Sequence, residues 1–367
     1  MKYVFTVLFL IQILPFFTIM ASAEDFYGKT AAQFGTDILD DGLSAEEKEI
    51  SGEFDAAGNY DVGGALAKLW KKFISSICEE LKNNMDSFTT LIALSFLCAL
   101  GLAMSDKKTS VFIELIACAA ASVIMLGNVE GLVSQTVNAM YRLSDYSKAA
   151  LPVVFTAAAT GGAVSSAASK FAAVSFALDV LMSVSQSLII PTVYSYIALT
   201  VSNSLFPHAV ISAVQKLCKW LAGTMMTAMT IAFTTYISMI GAIGAAVDTT
   251  AVKTARSFIS GVLPVVGGMI SDASAMVLSA AGVIKNCAGV FGLIAVAIMC
   301  VGPFAVLSVK MLLLKGISAV ADSMQSTRLS ALYSGISTAM GLLLGLLGSC
   351  GIMLFISLTA GMKVVSI

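Results

Sequence analysis

Charge is what this chain has least of. Only 12% of its 367 residues are Asp, Glu, Lys or Arg, against 58% hydrophobic, and the mean hydropathy is +0.92. A water-soluble chain of this length needs far more charge to cover its surface, so the composition is that of an integral membrane protein. Histidine is nearly absent too, with His208 alone, beside Pro207 in a loop. That excludes a His-rich zinc site, and no HExxH occurs. There is no P-loop and no GxSxG elbow, and no second carboxylate pairs with Asp179 in a membrane-protease motif. The sequence therefore points away from catalysis, and any energy source must come from a partner or an ion gradient. No basic stripe of the kind that binds nucleic acid is present. The seven cysteines form no framework, and Cys98, Cys118, Cys287, Cys300 and Cys350, in apolar runs with no CxxC or metal-ligand spacing, read as small core residues.

The charge that exists is uneven. Eleven of the 22 acidic residues fall between Glu24 and Asp61, opposed there only by Lys29 and Lys48. Before this acidic head, Lys2, the apolar run Val4–Ile19 and Ala21-Ser22-Ala23 form a signal peptide over residues 1–23, with cleavage expected before Glu24; an uncleaved first span is the alternative. Residues 24–65 read as a flexible extracytoplasmic segment.

Over residues 66–87 an apolar face forms from Leu66, Leu69, Trp70, Phe73, Ile74, Ile77, Leu81 and Met85, with Lys68, Lys71, Lys72, Glu79, Glu80 and Lys82 opposite. This is an amphipathic helix, either lying in the membrane interface or docked on the rest of the chain. Residues 88–127 form a two-helix hairpin, Phe88–Met104 and Val111–Gly127, around Ser105-Asp106-Lys107-Lys108, a basic turn expected inside. Phe171–Val201 is too long for one straight span and contains Asp179, Gln186 and Pro191. Leu221–Val247, Ala288–Leu314 and Met340–Met362 complete six clear spans, in a fold expected to be an all-α polytopic membrane protein of six to eight transmembrane helices.

Two further segments match each other. "LPVV" occurs at Leu151–Val154 and Leu263–Val266, each followed by a glycine pair (Gly161-Gly162, Gly267-Gly268), a small-residue patch and a long apolar run. The next prolines stand at equal distances, Pro152 to Pro191 and Pro264 to Pro303. The spacing indicates an internal duplication over residues 128–247 and 248–367, whose halves are parallel or inverted according to whether the LPVV segments cross. Gly, Ser and Pro at membrane depth are tolerated only where protein or water satisfies the backbone. Residues 263–287, with Asp272, Lys285 and Asn286, are thus expected to be an interrupted or re-entrant lining element, or a span buried in the bundle. Pro152, Gly161, Gly162, Asp179, Pro191, Pro264, Gly267, Gly268 and Pro303 join these three as candidate lining or hinge residues. Glu114 and Lys310, nearer span ends, are expected to reach toward the interface. Gly341, Gly345, Gly348 and Gly351 form a glycine-lined face for helix packing, between subunits or within the chain.

The order Pro264, Gly267, Gly268, Asp272, Lys285, Asn286, Gly289 in "LPVVGGMISDASAMVLSAAGVIKNCAGVFG", with "ALPVVFTAAATGGAVSSAA" earlier, closely resembles the stage III sporulation protein AE family of endospore-forming bacteria. The likeness runs the length of the chain. It implies a non-enzymatic subunit of the secretion-like channel between mother cell and forespore, in the mother-cell membrane surrounding the forespore. The implied partners are the other membrane proteins of the stage III sporulation A operon and a separate ATPase; a homo-oligomer is a further option. The resemblance implies no cofactor and no residue-level mechanism. From repeats, interrupted spans and Asp179 alone, the competing reading is an autonomous secondary transporter.

Overall fold

The computed structural model describes residues 43–44, 47–48, 62–160, 164–262 and 267–362, with the side chains of 62, 107–108, 160–166 and 241–288 outside that description. Every element among the described residues is helical: α1 Val62–Ala103, α2 Lys107–Thr160, α3 Val164–Val184, a single π-turn Ser185–Ile189, α4 Ile190–Leu205, α5 Ala209–Val262, α6 Gly267–Ser323 and α7 Thr327–Met362. Among the described residues, five stretches are long and apolar enough to cross a membrane: Gly63–Ala103, Thr109–Ala159, Ala167–Leu205, Gly289–Ser323 and Thr327–Met362. The expected span Leu221–Val247 falls within α5, partly outside the described side chains.

Length sets the architecture. At about 1.5 Å per residue, helices of 54 to 57 residues (α2, α5, α6) run about 80 Å. The hydrocarbon core is about 30 Å thick, so long stretches of these helices lie beyond it. The α1–α2 hairpin shows where the change falls. Near its turn the outward residues are Phe96, Leu97, Leu100 and Met104 on α1, and Phe112, Ile116 and Val123 on α2. Farther along, the outward positions become Lys68, Lys71, Glu79, Lys82 and Asp86 on α1, and Glu130, Arg142, Asp145 and Lys148 on α2. The apolar outward positions fall within Phe88–Met104 and Val111–Gly127. The amphipathic stretch and the first span are one continuous helix, α1, whose Leu66 and Leu69 pack on the core.

The core is built on α7, which packs along α6 and touches α2, α4 and α5. Its glycines allow this. A methyl on Gly348 would sit 3.3 Å from Phe304, and on Gly351 3.4 Å from Cys300, both on α6; on Gly345 it would sit 3.7 Å from Met226 of α5. The glycine face is thus occupied by this chain's own helices. Gly361 is tighter, with a Cβ 2.7 Å from Val154 of α2, and Gly335 abuts Thr200 of α4. Thr200 is held in turn by Gln215, whose Nε2 donates to its Oγ1 at 2.8 Å.

The turns after α1, α4 and α6 gather at one end of the bundle. Arg328 at the start of α7 pairs with Glu114 of α2 (3.2 Å) and donates to the Leu205 carbonyl at the end of α4 (3.3 Å). Glu114 does not reach toward the interface, and neither does Lys310, which turns inward to Glu80 of α1 at 3.6 Å. Arg328 and Lys310 are long, flexible cations, and an acidic partner on a neighbouring helix decides the direction of each. The α6–α7 turn closes with Gln325 in the left-handed region (φ 61°) while Ser326 N–H bonds Ala321 O and Gln325 N–H bonds Asp322 O. That is a Schellman closure with glutamine where glycine is usual.

Candidate functional site

Two prolines that the sequence marks as lining residues end up in different surroundings. Pro303 stays inside α6. Having no N–H, it leaves the carbonyl of Met299 one turn earlier without its helical donor. At this point lies a cavity of about 200 Å³ between α1, α2 and α6, lined by Ile298, Met299 and Pro303 on one side and by Leu69, Lys72 and Arg142 on the other. Ser44 and Glu47 of the acidic head also line it.

This piece of the head is anchored by its own chemistry. Glu47 Oε2 accepts from both the N–H and the Oγ of Ser44, each at 2.8 Å. Together with the bond from Lys48 N–H to Ser44 O, this is the glutamate half of a capping box. Leu43 is buried in the core, and Arg142 of α2 pairs with the same Glu47 oxygen. Burial would raise the Glu47 pKa, but the bonds from Arg142 and Ser44 outweigh it and hold the carboxyl below its ordinary value. The Ser44-x-x-Glu47 pattern before a helical turn was the available signal for this site. The composition of the head, expected to be mostly flexible, hides this anchor.

Pro191 breaks regularity instead. Its ring cannot pack against the carbonyl four residues back, and the chain absorbs this by widening one turn: Ile190 N–H bonds Ser185 O, five residues earlier. Hydroxyls fill in nearby, with Ser185 Oγ on Leu181 O (2.8 Å) and Thr192 Oγ1 on Leu188 O (2.7 Å). The long run Phe171–Val201 is therefore helical throughout, with one π-turn just before Pro191.

Asp179 lies on the outer face of α3, exposed, between exposed Phe176 and Val180 and in line with exposed Ser183 and Ser187. It makes no hydrogen bond or ion pair to a described residue. It is not among the described residues that line the cavity with Pro303 and Arg142. Pro152 sits inside α2 beside buried Leu151 and Val154. Gly161, Gly162 and Pro264 lie outside the described residues. Gly267, Gly268, Asp272, Lys285 and Asn286 fall in α6, with side chains outside the description.

No solved structure matches this chain. A curated relative, "Stage III sporulation protein AE" of Bacillus subtilis (strain 168), is 23% identical over 303 residues, covering 78% of this chain and 75% of the relative. Residues 55–364, most of the chain including all seven helices up to the end of α7, match the family described as "Stage III sporulation protein AE (spore_III_AE)", and the chain belongs to that family.

Proposed function

We propose that this chain is a non-enzymatic, multi-pass membrane subunit of the secretion-like channel linking mother cell and forespore during endospore development. It would sit in the mother-cell membrane around the forespore, with its signal peptide removed and its acidic head extracytoplasmic. Its partners would be the other membrane proteins of the stage III sporulation A operon, with a separate ATPase supplying energy. Membership of the family gives the sporulation role.

One observation favours a subunit over a self-sufficient transporter: Asp179 faces outward. A transporter with a coupling carboxylate keeps it inside its own bundle. Here the carboxylate lies in the apolar run Ala177–Leu181 on a face that the described residues leave exposed. A charge exposed to hydrocarbon costs about 2.5–3.5 kcal/mol on insertion scales. Covering that face with a neighbouring protein, or with the water of an assembled pore, removes the cost. The Ser183–Ser187 stripe and the Pro191 π-turn beside it suit a lining surface.

The duplication of residues 128–247 and 248–367 and the lining role of 263–287 belong to the same proposal. Support comes from the matched LPVV, Gly-Gly and Pro spacings. Pro191 and Pro303 each fall in a long helix, though one is absorbed by a π-turn and the other is left in a continuous helix. A photo-crosslinking residue at Ser183, in sporulating cells, tests the covered face. Adducts to another protein are expected. Adducts to lipid alone would remove the support for a subunit.

A further inference from the structure

The acidic head contributes part of the wall of the cavity at Pro303. Ser44 and Glu47 stand on that wall, opposite the stretch of α6 that carries Met299, Gly302 and Pro303. Two unlike contacts hold the head fragment there. Leu43 is buried in the core, which is apolar burial without direction. Glu47 pairs with Arg142, a charge-assisted bond that is directional and can be broken. Glu47 is 13% exposed and Arg142 48%, so water reaches this pair from the arginine side.

Behind the fragment there is room. A Cβ added at Gly302 would meet nothing within 4 Å, so this part of the α6 wall borders open space. The lining is mixed, with Leu69, Ile298 and Pro303 apolar and Lys72 and Arg142 cationic. A purely apolar cavity of this size stays dry, whereas one with charged groups in its wall takes up water. The Met299 carbonyl, left without its helical donor by Pro303, is a further polar group on the α6 side. The outer mouth lies among exposed Lys71, Arg142 and Asp145, on the water-facing part of α1 and α2.

We propose that Leu43, Ser44, Glu47 and Lys48 belong to a strap that closes this cavity, with the Glu47–Arg142 pair as its latch. Latched, the strap separates the α6 wall at Met299 and Pro303 from the aqueous phase. Unlatched, it lets that phase reach the point where α6 loses a helical hydrogen bond. The head is then a built-in cover for the proline site as well as an attachment. This goes beyond the channel reading and does not depend on it.

The test uses full-length protein in mixed micelles carrying Gly302→Cys, a position with space for the new side chain. A charged maleimide is added, and peptide mass spectrometry reads the modification rate at position 302. Exposed Cys78 is labelled in every sample and serves as the reference. With the latch intact, the introduced thiol should react much more slowly than Cys78. Glu47→Gln and Arg142→Met should each raise its rate about tenfold, the low end for a charge-assisted bond because one partner is half exposed. Lys148→Met, which removes the exposed partner of Asp145 on the same helix, should leave the rate unchanged. Equal rates with and without the latch, whether fast or slow, would overturn the proposal. So would an equal rise in Lys148→Met, which would mean general loosening of α2.

Discussion

Replacing Arg328 by Met is the sharpest test of how the bundle's turn end is held. Arg328 Nε lies 3.2 Å from Glu114 Oε2, and the two side chains are only 21% and 15% exposed. At that separation, and with an effective dielectric of about 20, Coulomb's law gives an attraction of about 5 kcal/mol, most of which offsets desolvation. Losing the arginine strands a carboxylate among helices and also removes the donor to the Leu205 carbonyl. The expected cost is therefore about 3–5 kcal/mol, the range for breaking a buried pair by removing one partner. Removing both charges, with Glu114→Gln added, should recover much of it, because a buried pair adds little net stability over neutral groups. Equilibrium unfolding of the full-length protein in mixed micelles, followed by circular dichroism, measures all three variants. The double variant should be more stable than Arg328→Met alone, with a coupling of at least about 2 kcal/mol. Additive losses, or a single-variant loss below about 1 kcal/mol, would refute the inward pairing of Glu114.

Gly335→Ala should destabilise by about 1–3 kcal/mol through the clash with Thr200, and Thr200→Ser should relieve it in a double variant. At the α6–α7 turn, Gln325→Gly should raise stability by up to about 1 kcal/mol, since glutamine at φ 61° bears the left-handed penalty. The Glu47 anchor has a pH signature. Its carboxyl pKa is lower folded than unfolded, so its stabilisation is present above the ordinary carboxylate range and is lost as pH falls through the folded value, below about pH 4. Limited proteolysis of the head should speed up across that window, and Glu47→Gln should make it fast at every pH. Gly267→Leu with Gly268→Leu should abolish sporulation while the protein still inserts; wild-type sporulation in that variant would end the lining role of residues 263–287.

The sequence made the membrane class and the helical content legible, because apolar run length depends on solvent alone. Pro191 marked a local irregularity for the same reason, since its missing donor is a local fact, and the chain meets it with a π-turn. The direction of Asp179 was beyond reach: "ALDVL" is equally apolar on every side, and only tertiary packing decides which side meets the bundle. Glu114 and Lys310 illustrate the same limit, because a snorkelling side chain and an ion-paired one look alike until the partner helix is placed. The Glu47 anchor is different. Its capping box was readable, but eleven acidic residues in one segment masked it as general disorder. The glycines of α7 signalled close packing correctly without saying whose side chains would fill the groove.

The account's central claim is a role in building the endospore. A clean in-frame deletion in the source organism, scored for vegetative growth and for forespore development by microscopy, tests it most directly. The account predicts normal growth and forespores that are engulfed but then stall or shrink. Normal sporulation, or a defect confined to ordinary growth, would contradict it and favour an autonomous transporter.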